Sequence, residues 1–205
     1  MNNKSQIFFI HGGGTHKTRE DFAKCVQEQF TVSLEKKIKW SGDYLENKLG
    51  DDFQIIMPKM PLKEDARYDE WKIYFEKYIP LLSDNIILIG NSLGGIFLAK
   101  YLSENIFPKK INSIYFVAPP FDNSLPGEDL VGGFELQSDL SLLGKNCSTI
   151  NFLFSKDDPV VPVEHAKNYE EKLPNANFIY YESMNGHFQV EEFPEIVEMI
   201  LTSYK

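Results

Sequence analysis

An open, doubly wound α/β sheet, mainly parallel and with helices on both faces, is the fold class this sequence predicts. Three observations point to it. Six strand-length runs rich in Ile, Phe, Val and Tyr recur at residues 6–10, 53–57, 86–89, 111–117, 149–154 and 177–181, several of them apolar on both faces. Helical periodicities fill the gaps between them. Strand and helix alternate about five times and a helix closes the series, the order that builds a parallel sheet.

The helices follow in turn. Thr18 and Asp21 offer an approximate capping box for a first helix, whose apolar residues Phe22, Val26, Phe30, Leu34 and Ile38 fall at intervals of four. Trp71, Tyr74, Phe75 and Tyr78 mark a second helix, and Ile96, Ala99, Leu102 and Ile106 a third. A further one begins near Val163. The last is the cleanest: Phe193, Ile196, Val197, Ile200, Leu201 and Tyr204 form a single stripe that suits a sheet surface, and Pro194 suits its first turn.

Residues 119–147 break the alternation. They hold no convincing strand but carry Pro119, Pro120, Pro126, Gly127, Gly132 and Gly133 among large apolar side chains from Phe121 to Leu143. With no repeat and no linker elsewhere, residues 1–205 are expected to form a single domain, with 119–147 a lid-like or pocket-forming insertion. The alternative is a surface excursion packed by its own side chains.

Composition narrows the partners. The 205 residues are 42% hydrophobic and 25% charged, far from a disordered chain and free of any membrane-length apolar run. Against 21 Lys and Arg stand 30 Asp and Glu, and the net charge of -9 repels nucleic acid and anionic lipid alike. A small-molecule partner is the expectation, with no nucleic acid and no membrane, and a monomer or small homo-oligomer. Cys25 and Cys147 form no C-x-x-C pattern and follow no secretory signal, so both read as reduced thiols of a cytoplasmic protein.

The chemistry begins after the third strand. Gly90-Asn91-Ser92-Leu93-Gly94 is a G-x-S-x-G pentapeptide between a strand and a helix. A serine on so sharp a turn has strained backbone angles, and side chains at the flanking glycines would collide with the neighbouring elements. The alternative is a βα turn that only packs or that cradles a phosphate, but G-K-[ST] and G-x-G-x-x-G are both missing.

A serine nucleophile needs a base, and four histidines are available. His187 lies in the loop between the last strand and the last helix, at the carboxyl edge of the sheet where Ser92 sits. His165 falls one turn into a helix and reads as a surface residue; His11 is better explained by orienting the loop that follows it. The base in turn needs a carboxylate to hold its tautomer. Asp157 and Asp158 both follow the fifth strand; Pro159 imposes an extended conformation on Asp158 that projects its side chain across the sheet top, whereas Asp157 equally suits a turn cap. The order Ser92, Asp158, His187, each after a successive strand, favours Asp158. For the oxyanion, His11-Gly12-Gly13-Gly14 ends the first strand with unshielded N–H groups. Gly13 is the expected donor, Gly14 the second choice, and Leu93 supplies the other N–H.

Together these motifs and the terminal Asn185-Gly186-His187-Phe188-Gln189 resemble the α/β-hydrolase superfamily over nearly the whole chain. More narrowly they are similar to the small serine hydrolases of the retinoblastoma-binding protein nine type and their bacterial relatives. The resemblance implies a compact sheet with little or no cap, Ser92 as nucleophile, His187 as base, Asp158 as its orienting acid, and no cofactor. The familiar fold begins with an antiparallel hairpin; Met1 to Ser5 leave no room for one, so it is expected to be missing. The L-x-C-x-E ligand of retinoblastoma protein is absent around both cysteines.

The expected function is therefore a serine hydrolase that cleaves a carboxylic ester or related acyl substrate through an acyl-serine, with apolar residues between Phe121 and Leu143 lining the substrate. An alternative on the same fold is a non-catalytic or weakly catalytic protein-interaction module. A haloalkane-type enzyme would want a carboxylate in place of Ser92, and a metallohydrolase would want clustered ligands.

Overall fold

The central strands are buried on both faces, as their unbroken apolar runs require. The computed structural model describes residues 4–35 and 38–204. Within these lie β1 (Ser5–Ile10), β2 (Phe53–Ile56), β3 (Ile86–Asn91), β4 (Ile111–Val117), β5 (Ile150–Ser155) and β6 (Asn177–Tyr181). They form one sheet in the order β2-β1-β3-β4-β5-β6, and every neighbouring pair is parallel. The chain steps outward from β1 to β2, then returns past β1 to β3, so the winding reverses between β1 and β3. That is where open α/β sheets leave a crevice at their carboxyl ends.

Helices cover both faces: α1 (Arg19–Glu28), α2 (Leu45–Leu49), α3 (Tyr68–Tyr78), α4 (Leu93–Glu104), α5 (Ser141–Asn146), α6 (Glu164–Lys172) and α7 (Pro194–Ser203). The period-two alternation of β1 sorts them. Phe8 packs against Phe75 of α3, which meets Phe97 of α4 at 5.6 Å. Phe9, on the other face, meets Trp40, which meets Phe193 at the start of α7 at 5.2 Å. Further along the sheet, Phe116, Phe152 and Phe178 stack across β4, β5 and β6, and the buried Tyr169 of α6 lies on Phe152. Among the described residues no helix is long and apolar enough to cross a membrane, and Cys25 and Cys147 are both free.

Two helices differ from the pattern of their apolar residues. The first has its capping box, with Thr18 Oγ1 accepting from the Asp21 N–H and Asp21 accepting from the Thr18 N–H, yet it ends at Glu28 and buries no residue. Residues spaced strictly by four advance about 40° per step around a helix of 3.6 residues per turn, so Phe22 and Ile38 would stand about 160° apart rather than on one stripe. Phe30, Leu34 and Ile38 are exposed beyond the helix end, and residues 36 and 37 of the expected span lie outside the described residues. In the third expected helix, α4 stops at Glu104 and leaves Ile106 exposed. There the Asn146 side chain intervenes: Nδ2 donates to the Leu102 and Asn105 carbonyls and Oδ1 accepts from the Phe107 N–H, which turns the chain and buries Phe107 instead.

Phe97 therefore belongs to the core and Leu34 does not. Phe97→Ala is expected to cost about 3–5 kcal/mol in urea unfolding, and Leu34→Ala less than about 0.5 kcal/mol.

Candidate active site

The strand-to-helix turn from β3 to α4 exists because two positions lack a Cβ. A Cβ on Gly90 would sit 2.6 Å from the Gly94 carbonyl oxygen, and one on Gly94 would sit 2.3 Å from that of Ile10 and 2.6 Å from that of His11. With both absent, α4 closes on the end of β1 and Ser92 is forced to φ 52°, ψ -119°, a conformation that costs a non-glycine residue about 1–3 kcal/mol. The Ser92 N–H still bonds the Val117 carbonyl at 2.8 Å, so the strained residue is anchored to β4.

β1 brings the glycine-rich loop to the same place, because its register pairs Ile10 with Gly90. A Cβ on Gly12 would lie 3.2 Å from Ser92 Cβ, and one on Gly13 would lie 2.3 Å from the Lys63 carbonyl oxygen. The His11 ring orients the loop: its Nε2 accepts from the Met60 N–H at 2.9 Å, so Nδ1 carries the proton and donates to the Gly12 carbonyl at 2.7 Å. Burial pushes the His11 pKa down, which keeps the ring in this neutral form. In a trans peptide the Gly12 carbonyl and the Gly13 N–H point in opposite directions, so fixing one aims the other. The Gly14 N–H is committed to the Lys63 carbonyl at 2.8 Å and drops out as a donor. The Leu93 N–H belongs to the first turn of α4, where no helical acceptor reaches it.

The two adjacent aspartates divide their work. Asp158, its side chain wholly buried, accepts from the Val160 and Val161 N–H groups on Oδ1, at 2.8 and 3.0 Å, and from His187 Nδ1 on Oδ2 at 2.7 Å. Its carboxylate thus holds the imidazole with Nδ1 protonated and Nε2 carrying the lone pair. Asp157 does not touch His187; it holds the loop that carries it. The Ser155 and Ser183 hydroxyls and the Met184 and Gly186 N–H groups all donate to Asp157, and these bonds keep its carboxyl well below the usual carboxylate range. On the far side of the loop the buried Trp40 donates from Nε1 to the Phe188 carbonyl at 3.1 Å and from its backbone to Val190. Asn185, Gly186 and Phe188 around the histidine all have positive φ, so the loop is bent at three places and clamped from both sides. Trp40 carried no local signal in the sequence.

Ser92 and His187 line the same cavity of 470 Å³. No hydrogen bond joins Ser92 Oγ to His187 Nε2, and Nε2 has no partner among the described residues. His165, expected at the surface, is buried instead: its Nδ1 accepts from the Phe121 N–H at 3.0 Å, and burial lowers its pKa. It stabilises the start of the 119–147 segment, which splits in two. Leu125 and Leu130 face the cavity, the strand-like contact of Thr15 with Asp129 ties this part to the glycine-rich loop, and Phe134, Leu140 and Leu143 turn away into the core. Phe121 packs on Tyr169 rather than on the cavity. Among the described residues no three His, Cys, Asp or Glu side chains gather as metal ligands.

Comparison with known proteins bears on the family and the fold. A family described as serine hydrolase matches residues 36–200. YdeN of Bacillus subtilis, which bears the name of a hydrolase, is 28% identical over 204 residues, covering 97% of this chain and 95% of its own. The serine hydrolase RBBP9 of Rattus norvegicus is 26% identical over 149 residues, 72% of this chain and 76% of its own. The crystal structure of the B. subtilis ydeN gene product superposes with a TM-score of 0.74, covering 98% of this chain and 99% of that one, at 18% identity.

Asp157→Asn is expected to lower kcat by about 100-fold through misplacement of the His187 loop, while circular dichroism at neutral pH stays native. The linkage has a definite sign. A carboxyl with a depressed folded pKa contributes stability that is complete above the ordinary aspartate value of about 3.9 and is lost as the pH falls below it. Urea unfolding at a series of pH values should show the gap between wild type and Asp157→Asn closing on acidification.

Proposed function

The chain belongs to the serine hydrolase family, and from that premise we propose that it cleaves a carboxylic ester or related acyl substrate through an acyl-serine intermediate. One observation carries the reading: the 2.7 Å bond from His187 to the buried Asp158 carboxylate, with His187 Nε2 left unpaired in the wall of the cavity that Ser92 also lines.

His187 Nε2 takes the proton of Ser92 Oγ as the oxygen attacks the acyl carbon. Asp158 stabilises the imidazolium without taking the proton itself. The carbonyl oxygen becomes an oxyanion between the Gly13 and Leu93 N–H groups, the arrangement in which preorganised donors contribute most. On collapse the bond to the leaving oxygen breaks and His187 returns its proton to that oxygen, releasing the alcohol. Water then attacks the acyl-serine by the same route, the acid leaves and the serine is restored. Leu125, Leu130, Val160 and Val161 suit an apolar acyl group.

Ser92→Ala is expected to abolish labelling by a fluorophosphonate probe and to lower p-nitrophenyl ester turnover by at least about 10⁴-fold, with Asp158→Asn losing about 10⁴-fold. Labelling that persists in Ser92→Ala would overturn the assignment. A stoichiometric protein partner bound equally by wild type and Ser92→Ala, with no turnover across the ester panel, would point to an interaction module.

A further inference from the structure

Two cavities adjoin beside the candidate nucleophile, although Ser92 itself lines only the first. The 470 Å³ cavity alone has Leu93, Leu125, Leu130, Val160 and Val161 in its wall, and a second, of 490 Å³, alone has Ser33, Glu35, Asn185 and Glu191 beside Ile38 and Val190, while Ser41 and Gln189 line both. Asn91 and His187 stand in the wall of both. If the acyl chain lies against Leu125, Leu130 and Val161 in the first cavity, the leaving group falls to the second, whose wall includes the loop of the histidine that must protonate it.

Asn91 is the unexplained residue of this boundary. It precedes Ser92, and its Oδ1 is buried with no hydrogen-bond partner among the described residues. A buried acceptor without a partner is destabilising, and native proteins keep such groups mainly where a ligand or water completes them. A carboxamide presents one acceptor and one donor end, and a hydroxyl both donates and accepts, so the match holds whichever way the amide is turned. The charged side chains in the second cavity's wall, Glu35, Lys39 and Glu191, are of both signs and exposed, so they can stay hydrated beside a neutral group.

We propose that the leaving alcohol carries a further hydroxyl group, as in a monoester of a diol or small polyol, and that the Asn91 carboxamide reads that hydroxyl. This rests on the ester-hydrolase reading of Ser92 and His187.

The test compares ethyl butyrate with 2-hydroxyethyl butyrate, which share one acyl group. Wild type is expected to favour the hydroxylated ester by tenfold or more in kcat/KM, and Asn91→Leu, close in volume but unable to hydrogen-bond, to bring the ratio near one. Asn91→Ala makes the same comparison should leucine impair folding. Equal kcat/KM for the two esters in wild type, or a preference that survives both substitutions, overturns the role of Asn91 while leaving the hydrolase reading standing. Turnover of neither ester, with no fluorophosphonate labelling of Ser92, overturns both.

Discussion

The site depends on one close contact: the bare Cα of Gly94 pressed against the carbonyls of Ile10 and His11. That approach lets α4 start where β3 ends, and it gives Ser92 its positive φ. It also seats the first turn of α4, with the Leu93 N–H, beside the glycine-rich loop at the end of β1. The parallel register does the rest. Because Ile10 lies opposite Gly90 and Asn91 opposite Val117, the ends of β1, β3 and β4 reach the same edge at the same level. The strain at Ser92 is local; the edge-to-face rings of Phe75 and Phe97 and the sheet beneath hold it in place.

At the other side of the cavity, precision comes from hydrogen bonds rather than close packing. Neighbouring residues of one chemical type, Asp157 and Asp158, act at different levels: one orients the imidazole, the other the backbone that carries it. Asp158 is satisfied by three donors in a buried setting, and Asp157 by four near the surface. Trp40 completes the clamp from a segment 148 residues earlier in the chain, and its ring also fills the core between Phe9 and Phe193. A packing residue of the sheet is thereby a positioning residue of the histidine loop.

The 119–147 segment serves both the core and the cavity. One half is spent on the core, through Phe134, Leu140 and Leu143, and Pro120 with the stretch around Leu125 to Leu130 lines the cavity. The buried His165 and the contact between Thr15 and Asp129 fix its two approaches. The net charge of -9 says little about this surface, because Lys39 and Lys63 line the cavity together with Glu128 and Asp129.

The sequence by itself determined what is written in short stretches of chain. The six strands were legible within a residue or two because the inner ones are apolar on both faces and the edge ones still carry Ile, Phe and Tyr in strand-length runs. Ser92 and the glycines around it were legible because a tight turn leaves its steric demands in five consecutive residues, and the places of the Asp157-Asp158 pair and of His187 at the sheet edge followed from the strands before them. The capping box of α1 was equally local. The tertiary structure decided the rest, because it depends on groups far apart in sequence. The run from Phe22 to Ile38 could not show that its helix ends at Glu28, nor the pattern around His165 that the Phe121 N–H covers its ring. That Asp158 rather than Asp157 meets His187, while Asp157 meets the Gly186 N–H, depends on residues 29 positions onward. Trp40 acquires its role only when folding brings Phe188 against it, and Asn91 shows its unpaired oxygen only when two cavities form around it. Local chemistry sets which turns and strands the chain forms; the energetics of buried polar groups, which must find partners wherever the fold places them, set which residues share a site.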